Sequence, residues 1–195
     1  MNIFVTDNCP YESAKNLCDK HVNKMWIETA QILSAVIDHR VPMHKGPLRL
    51  ANQTVSEVCG LPQYPKAHVK HPCTIWAMES QMNAQWLTKH MHGIEQEFRL
   101  RYPRTEHKLQ GTYKQYVLQL EQCEFDKVEM TPFAQAMPDL YKADDAVVAY
   151  RTYYLMDKTF ASWKKETPIW FDECKTEVLR LVRGFTTNYE ATPFH

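Results

Sequence analysis

A polar stripe within the first long helical segment carries the side chains best suited to chemistry. Four polar residues recur at spacings of three, four and three: His21, Lys24, Glu28 and Gln31. On a helix these spacings bring the side chains to one face. A carboxylate such as Glu28, when partly shielded from water, can stabilise a developing positive charge or activate a water molecule. The alternative is a solvated face with a weak Lys24–Glu28 ion pair, worth about 0.2–0.5 kcal/mol.

A basic loop, residues 64–72, leads into the second long helical segment. It contains His68, Lys70 and His71, followed directly by Pro72. Unpaired backbone N–H groups and the helix dipole make a helix N-terminus suitable for binding a phosphate. The alternative is a rigid proline loop whose histidines cap the helix.

A third candidate segment, between Tyr150 and Phe171, interleaves basic and aromatic residues. Arg151 and Lys158 are seven residues apart and therefore share a helical face, with Tyr154 between them. Basic side chains can pair with phosphates while aromatic rings stack on bases. An ordinary amphipathic helix with aromatic core contacts is the alternative.

Metal and cofactor sites are not indicated by the motifs of the chain. A zinc site would have to draw on His68, His71, Cys73, Cys18 and His21. His-x-x-His-x-Cys is not a standard ligand pattern, and the sequence contains no Cys-x-x-Cys pair. Walker-type phosphate loops, dinucleotide-binding glycine motifs and the hydrolase nucleophile elbow are all missing from the sequence. We therefore expect neither a metal nor a cofactor.

Charge and composition restrict the partners of the protein. The chain has 195 residues, with 23 Lys and Arg against 23 Asp and Glu, so its formal net charge is zero. Nucleic-acid-binding domains of this size are usually basic, so contact with DNA requires a local basic face. A small phosphorylated ligand would need only a basic pocket. The aromatic content of 12% excludes an intrinsically disordered chain.

The sequence also predicts where the protein resides. No apolar stretch approaches the roughly 20 residues that span a membrane, and the N-terminal residues lack the basic and apolar regions of a secretory signal. We therefore expect a cytoplasmic protein without a membrane partner. Its six scattered cysteines should be free thiols in that reducing compartment.

Apolar residues at spacings of three and four predict a helical protein, and the scarcity of glycine, with five residues, agrees. One uninterrupted helix is predicted over residues 11–39 and a second over 72–101, where Gly93 should allow close approach of a neighbouring element. Further elements are predicted as follows: helices at 50–58, 109–120, 144–163 and 171–183, proline-rich loops at 41–69 and 129–140, and a strand or tucked arm at 1–5. The fold expected is all-α, a single-domain bundle over residues 1–195 built on two long amphipathic helices, with a flexible tail at 185–195.

The segment LCDKHVNKMWIE, residues 17–28, resembles the first helix of the phage pyrimidine-dimer DNA glycosylases of the endonuclease V type. That family has Leu, Asp and His at the positions of Leu17, Asp19 and His21, and its catalytic glutamate falls on Glu28. The resemblance implies an all-α fold and a reaction at the N-glycosidic bond of DNA. Most of the chain also resembles a set of uncharacterised phage proteins, through segments such as residues 71–73, 131–138 and 150–154.

The chain departs from the pattern of that family at two places. The family attacks the sugar with the α-amine of a small N-terminal residue, which is exposed when the initiator Met is removed. Here Asn2 follows Met1, and we expect this bulky second residue to keep Met1 in place. Ile27 and Gln31 stand where the family has two arginines around the glutamate.

From these residues we expect an enzyme that acts at the N-glycosidic bond or the base of DNA. Glu28 would stabilise an oxocarbenium-like sugar or activate a water, and His21 would bind a phosphate or assist proton transfer. The residues expected to contact phosphate or nucleic acid are Lys24, His68, Lys70, His71, Arg151, Tyr154 and Lys158. Two alternatives stand beside this hypothesis: an enzyme on free nucleotides or another small phosphorylated ligand, and a non-enzymatic phage protein that binds a host factor.

Overall fold

The computed structural model describes residues 1–42, 55–61 and 69–177. Within these ranges the chain is helical and forms no strand, which confirms the all-α prediction. None of the described helices has the length and apolar character needed to cross a membrane. The predicted tail at residues 185–195 lies outside the described residues, as does most of the predicted loop at 41–69.

Seven α-helices lie in the described part of the chain. In order they are α1 (Pro10–Lys15), α2 (Asp19–Arg40), α3 (Val55–Val58), α4 (Pro72–Glu79), α5 (Gln81–Arg101), α6 (Tyr113–Leu120) and α7 (Ala146–Asp157). A 3₁₀ turn at Asp139–Tyr141 precedes α7, and residues 169–177 are also helical.

Helices α2 and α5 lie at the centre and pack against each other, while α1 packs on α5 and α4 on both. The helical stripe of α2 is fully buried, as the apolar spacing predicts; Met25 and Trp26 have no exposed surface. Burying a large apolar side chain stabilises the fold by about 1.5–3 kcal/mol. Residues 1–5 form a tucked arm rather than a strand, and Ile3 and Val5 are buried completely.

The prediction of one continuous helix over residues 11–39 is wrong, because the chain is extended at Cys18 between α1 and α2. The buried guanidinium of Arg101, at the end of α5, donates hydrogen bonds to the carbonyl oxygens of Lys15 at 2.8 Å and Leu17 at 2.6 Å. It also forms ion pairs with Asp19 and Glu97. These carbonyls are thus satisfied by a side chain from another helix instead of by the helical ladder.

The predicted helix over residues 72–101 is likewise interrupted, at Ser80, whose backbone is extended. The Ser80 hydroxyl accepts a hydrogen bond from the backbone N–H of Asn83 and so caps α5. The side-chain amide of Asn83 donates to the carbonyl of Trp76 at 2.7 Å, which ties the end of α4 to the start of α5. Ser80 therefore separates α4 from α5, although no Gly or Pro lies at this break.

Other element boundaries differ from the predictions by several residues. Helix α6 begins at Tyr113, four residues after the predicted start. The helix predicted over residues 144–163 ends at Asp157, and Lys158 begins a turn. Of the helix predicted at 171–183, residues 171–177 are helical and the remainder lies outside the described part of the chain.

Gly93 lies where α5 passes closest to α1, as its position in the sequence suggested. A Cβ atom at this position would lie 2.8 Å from Cβ of Ala14 and 3.3 Å from Cα of Tyr11. The first distance is shorter than real Cβ contacts, and the second involves backbone. Only glycine therefore permits this approach of the two helices.

Gly93→Ala is expected to lower the free energy of unfolding by about 1 kcal/mol, measured by urea denaturation. Overpacking a tight contact costs typically about 1–3 kcal/mol, and the roughly 1 kcal/mol that alanine gains in helix propensity offsets part of that cost. Adding Ala14→Gly removes the atom that the new methyl group meets and should recover part of the loss. A Gly93→Ala variant as stable as the wild type would contradict this packing argument.

Candidate functional site

Glu28 lies on α2 beside the tucked N-terminal arm. One carboxylate oxygen, Oε2, accepts a hydrogen bond of 2.9 Å from the backbone N–H of Asn2. The other, Oε1, lies 3.7 Å from Nζ of Lys24. The side chain of Glu28 is only 14% exposed, whereas that of Lys24 is 61% exposed. The carboxylate is therefore largely shielded from water, with one exposed cation at its edge.

Asn2 fixes the position of the arm through its own side chain. Its amide donates to the carbonyl of Ala136 at 2.8 Å, and its Oδ1 accepts the backbone N–H groups of Ile3 at 2.7 Å and Phe4 at 2.9 Å. This turn holds Phe4 at a φ of 38°, a left-handed conformation that is uncommon outside glycine. The nitrogen of residue 2 is thus held against Glu28 by contacts from three segments of the chain.

Cys73, on the first turn of α4, and Tyr150, on α7, lie behind this pair in the core. Burial raises the pKa of the Cys73 thiol to about 12; the nearby amino terminus and a hydrogen bond with Tyr150 oppose that rise, while the charge of Glu28 adds to it. Burial likewise raises the pKa of Tyr150 well above its usual value. The Tyr150 hydroxyl donates to the carbonyl of Ala134 at 2.7 Å. Cys73 and Tyr150 are consequently neutral near pH 7.

His21 lies two helical turns before Glu28 and is almost entirely buried. Its ring stacks on Phe4 with centroids 4.5 Å apart, and its Nδ1 lies 2.6 Å from the Tyr154 hydroxyl. That hydroxyl also accepts the backbone N–H of Cys18 at 2.9 Å. Burial, with smaller contributions from the charges of Lys24 and Lys158, lowers the pKa of His21 to about 4. The imidazole is therefore neutral at pH 7 and joins α2, the arm and α7.

The basic loop before α4 is described only at its end. His71 caps α4, because its Nδ1 accepts the backbone N–H of Cys73 at 3.2 Å. This is the capping geometry that the sequence offered as the alternative to phosphate binding. Lys70 is exposed in the preceding turn, and His68 lies outside the described residues.

Arg151, on α7, is held by the chain that follows the N-terminal arm. Its Nε donates to the carbonyl of Thr6 at 2.8 Å, and its Nη2 lies 3.5 Å from a carboxylate oxygen of Asp7. The guanidinium also lies over the ring of Trp170, at 5.2 Å from the centroid. The side chain is 33% exposed, so part of its charge faces water.

Lys158, at the end of α7, is bound on two sides. Its Nζ donates to the hydroxyl of Tyr153 at 2.9 Å and to the carboxylate of Asp157 at 2.7 Å. Burial alone would lower the pKa of Lys158, but these hydrogen bonds outweigh it and leave the pKa raised. The residue is therefore a cation, but a sequestered one with 14% of its side chain exposed.

Some of the predicted site residues contact one another, whereas others are bound to residues outside the predicted set. Lys24 contacts Glu28, and His21 contacts Tyr154. Arg151 and Lys158 are bound to partners of their own. The sequence did not indicate Asn2 as a site residue, since nothing in its local pattern reveals a hydrogen bond to a residue 26 positions away.

The N-terminal part of the chain is similar to a known protein family. A family model described as pyrimidine dimer DNA glycosylase matches residues 1–110, more than half of the chain. No curated protein and no solved structure matches the chain. The matched range contains Asn2, His21, Lys24, Glu28 and Cys73, and it excludes α7.

Proposed function

The chain belongs to the pyrimidine dimer DNA glycosylase family, and on this premise we propose that it hydrolyses the N-glycosidic bond of one pyrimidine in a dimer, while the base stays joined to its partner base. The observation that carries the proposal is the shielded carboxylate of Glu28, held 2.9 Å from the nitrogen of residue 2. Glu28 also occupies the position of the catalytic glutamate in the sequence resemblance. Family membership favours this reaction over an enzyme on free nucleotides or a non-enzymatic binding protein.

Glu28 would act on the sugar rather than on the base. As the bond between C1′ and the base nitrogen breaks, its electrons leave with the base and positive charge develops on the sugar. A carboxylate in a site of low water content stabilises that charge strongly. The same carboxylate accepts a proton from the attacking water while the water oxygen bonds to C1′. The base takes up a proton, and an abasic site remains in the strand.

Water is the proposed nucleophile because the nitrogen of Asn2 belongs to a peptide bond. With Met1 in place, the nitrogen of Asn2 is a peptide amide whose lone pair is delocalised. Its hydrogen points to Glu28, so this nitrogen cannot attack C1′, and the α-amine of Met1 is the amine that the borohydride experiment below tests for imine formation. In this chain the Asn2–Glu28 hydrogen bond instead orients the carboxylate.

The DNA backbone would be held mainly by exposed cations near the site. Lys24 and Lys70 are exposed and free to approach a phosphate, and His68 remains a candidate from its place in the basic loop. Four other predicted contacts are proposed to stabilise the fold rather than to contact DNA, since each makes a hydrogen bond within the protein: His71, Arg151, Tyr154 and Lys158. His21, neutral and buried, would position α2 against α7.

The experiment that tests this proposal uses a duplex with a single pyrimidine dimer. We expect the wild-type protein to leave the strand intact until alkali treatment, which breaks it at the abasic site. Borohydride, which traps an imine as a stable adduct, should give no protein–DNA adduct. Intact-mass measurement should show Met1 retained, giving the 23.0 kDa chain. Direct strand breaks together with a trapped adduct would contradict the hydrolytic route, and unbroken DNA after alkali would contradict glycosylase activity itself.

A further inference from the structure

The hydroxyl of Tyr150, on α7, holds a loop that lies next to the N-terminal arm. It donates a hydrogen bond of 2.7 Å to the carbonyl of Ala134 and accepts one of 3.3 Å from the backbone N–H of Ala136. Tyr150 has no exposed surface, so water does not compete for these bonds. Because one oxygen atom binds two peptide groups that are two residues apart, the hydroxyl fixes the path of the loop at this point.

Ala136 connects the Tyr150 hydroxyl to the N-terminal arm. Its carbonyl oxygen accepts a hydrogen bond of 2.8 Å from the side-chain amide of Asn2. The backbone N–H of Asn2 in turn donates to Oε2 of Glu28 at 2.9 Å. Three hydrogen bonds therefore lead from the Tyr150 hydroxyl to the carboxylate, with Ala136 and Asn2 as the intermediate residues.

The ring of Tyr150 supports the same arm at Phe4. The two rings meet edge-on with their centroids 5.9 Å apart, and the rings of His21 and Tyr154 also contact Phe4. Phe4 has a φ of 38°, a conformation that a residue with a side chain keeps only where its surroundings hold it. Replacing Tyr150 by phenylalanine retains this ring contact and removes the hydroxyl alone.

We propose that Tyr150 is a positioning residue for the reaction at Glu28. Its hydroxyl fixes Ala136, Ala136 fixes the side chain of Asn2, and Asn2 aligns the carboxylate with the attacking water and C1′. The inference rests on the proposed glycosylase function, which makes Glu28 the reacting carboxylate. Because Tyr150 is completely buried, it acts through Asn2 rather than by contact with DNA.

This assignment places a positioning residue outside the part of the chain that is similar to the family. The family model matches residues 1–110, which include Glu28 and Asn2, whereas Ala136 and Tyr150 both follow that range. The carboxylate and the residue that positions it thus come from different parts of the chain. Small errors in the position of a reacting group can slow a reaction strongly, so a distant hydroxyl can affect the rate.

The first test examines the arm without any substrate, by NMR of the ¹⁵N-labelled protein. A hydrogen bond to a carboxylate moves an amide proton resonance downfield, so the backbone amide proton of Asn2 should move upfield in Tyr150→Phe. Tyr116→Phe is the matched control, because Tyr116 is also completely buried and its hydroxyl lies 3.3 Å from that of Ser34. This variant should leave the Asn2 resonance in place. An unmoved Asn2 resonance in Tyr150→Phe would overturn the proposal.

The second test measures the single-turnover rate constant on a duplex with one pyrimidine dimer. Tyr150→Phe should slow the reaction about tenfold at an unchanged Kd, and Tyr116→Phe should change neither. In a Glu28→Gln background, Tyr150→Phe should cause no further slowing, because the group that it positions has lost its charge. Equal slowing in both backgrounds would show a general effect on the fold and would overturn the positioning role. A wild-type protein that breaks no glycosidic bond would refute the glycosylase proposal, while the NMR result would still report on the link from Tyr150 to Asn2.

Discussion

Glu28→Gln is expected to slow cleavage of the glycosidic bond about 1,000-fold at a nearly unchanged affinity for DNA. The substitution keeps the shape of the side chain and an oxygen that can accept the N–H of Asn2, but it removes the negative charge and the proton acceptor. General base catalysis contributes typically about 10²–10⁴-fold, and electrostatic stabilisation of the transition state about 10²–10³-fold. The measurement is the single-turnover rate constant on a duplex with one pyrimidine dimer.

A second glutamate serves as the control for this rate. Glu121 is exposed at the end of α6, and Glu121→Gln should leave the rate of cleavage unchanged. A Glu28→Gln variant whose rate stays within about threefold of the wild type would remove Glu28 from the catalytic machinery. In that case another group must supply the charge.

Arg101→Met is expected to lower the free energy of unfolding by about 3–5 kcal/mol, the usual cost of removing one partner from a buried ion pair. The guanidinium side chain is 1% exposed and pairs with two carboxylates that are themselves largely shielded, Asp19 at 14% and Glu97 at 15% exposure. Methionine fills much of the volume but leaves both carboxylates and the carbonyls of Lys15 and Leu17 without their donor. Urea denaturation at pH 7 measures the loss.

Arg99 provides a matched control two residues earlier on α5. It pairs with Glu95 at 2.8 Å; the Arg99 side chain is 54% exposed, whereas the Glu95 side chain is 7% exposed. Because water reaches the Arg99 guanidinium and Glu95 keeps the backbone N–H of Gly111 as a donor at 2.9 Å, Arg99→Met should cost less than Arg101→Met. Equal destabilisation by Arg99→Met and Arg101→Met would show that the junction between α1 and α2 does not depend on the buried guanidinium.

The helices could be predicted from the sequence because apolar spacing is a local property. The stripe of α2 and the close approach at Gly93 both follow from residue types within one segment. The breaks at Cys18 and Ser80 could not, because contacts from distant segments help to hold both of them. Arg101 reaches a carbonyl 84 residues away, and the Ser80 break is secured by Asn83, which also bonds Thr131.

The part of the candidate site that lies on α2 could be predicted from the sequence. The spacing of Lys24 and Glu28 indicated their contact, and the resemblance of residues 17–28 singled out the glutamate. The hydrogen bond from Asn2 depends on a tertiary fold of the arm that no periodicity describes. Similarly, alternating aromatic and basic residues after position 150 do not distinguish Tyr154, which is buried, from Phe160, which is exposed.

The proposed activity depends on a shielded carboxylate beside the N-terminal arm that breaks a glycosidic bond in damaged DNA. Its most direct test is a single-turnover reaction of the wild-type protein with two duplexes that differ only in one pyrimidine dimer. We expect alkali-labile sites to form at the dimer in amounts that match the enzyme, and none to form in the undamaged duplex. A correctly folded protein that leaves the dimer-containing strand intact after alkali would contradict the claim.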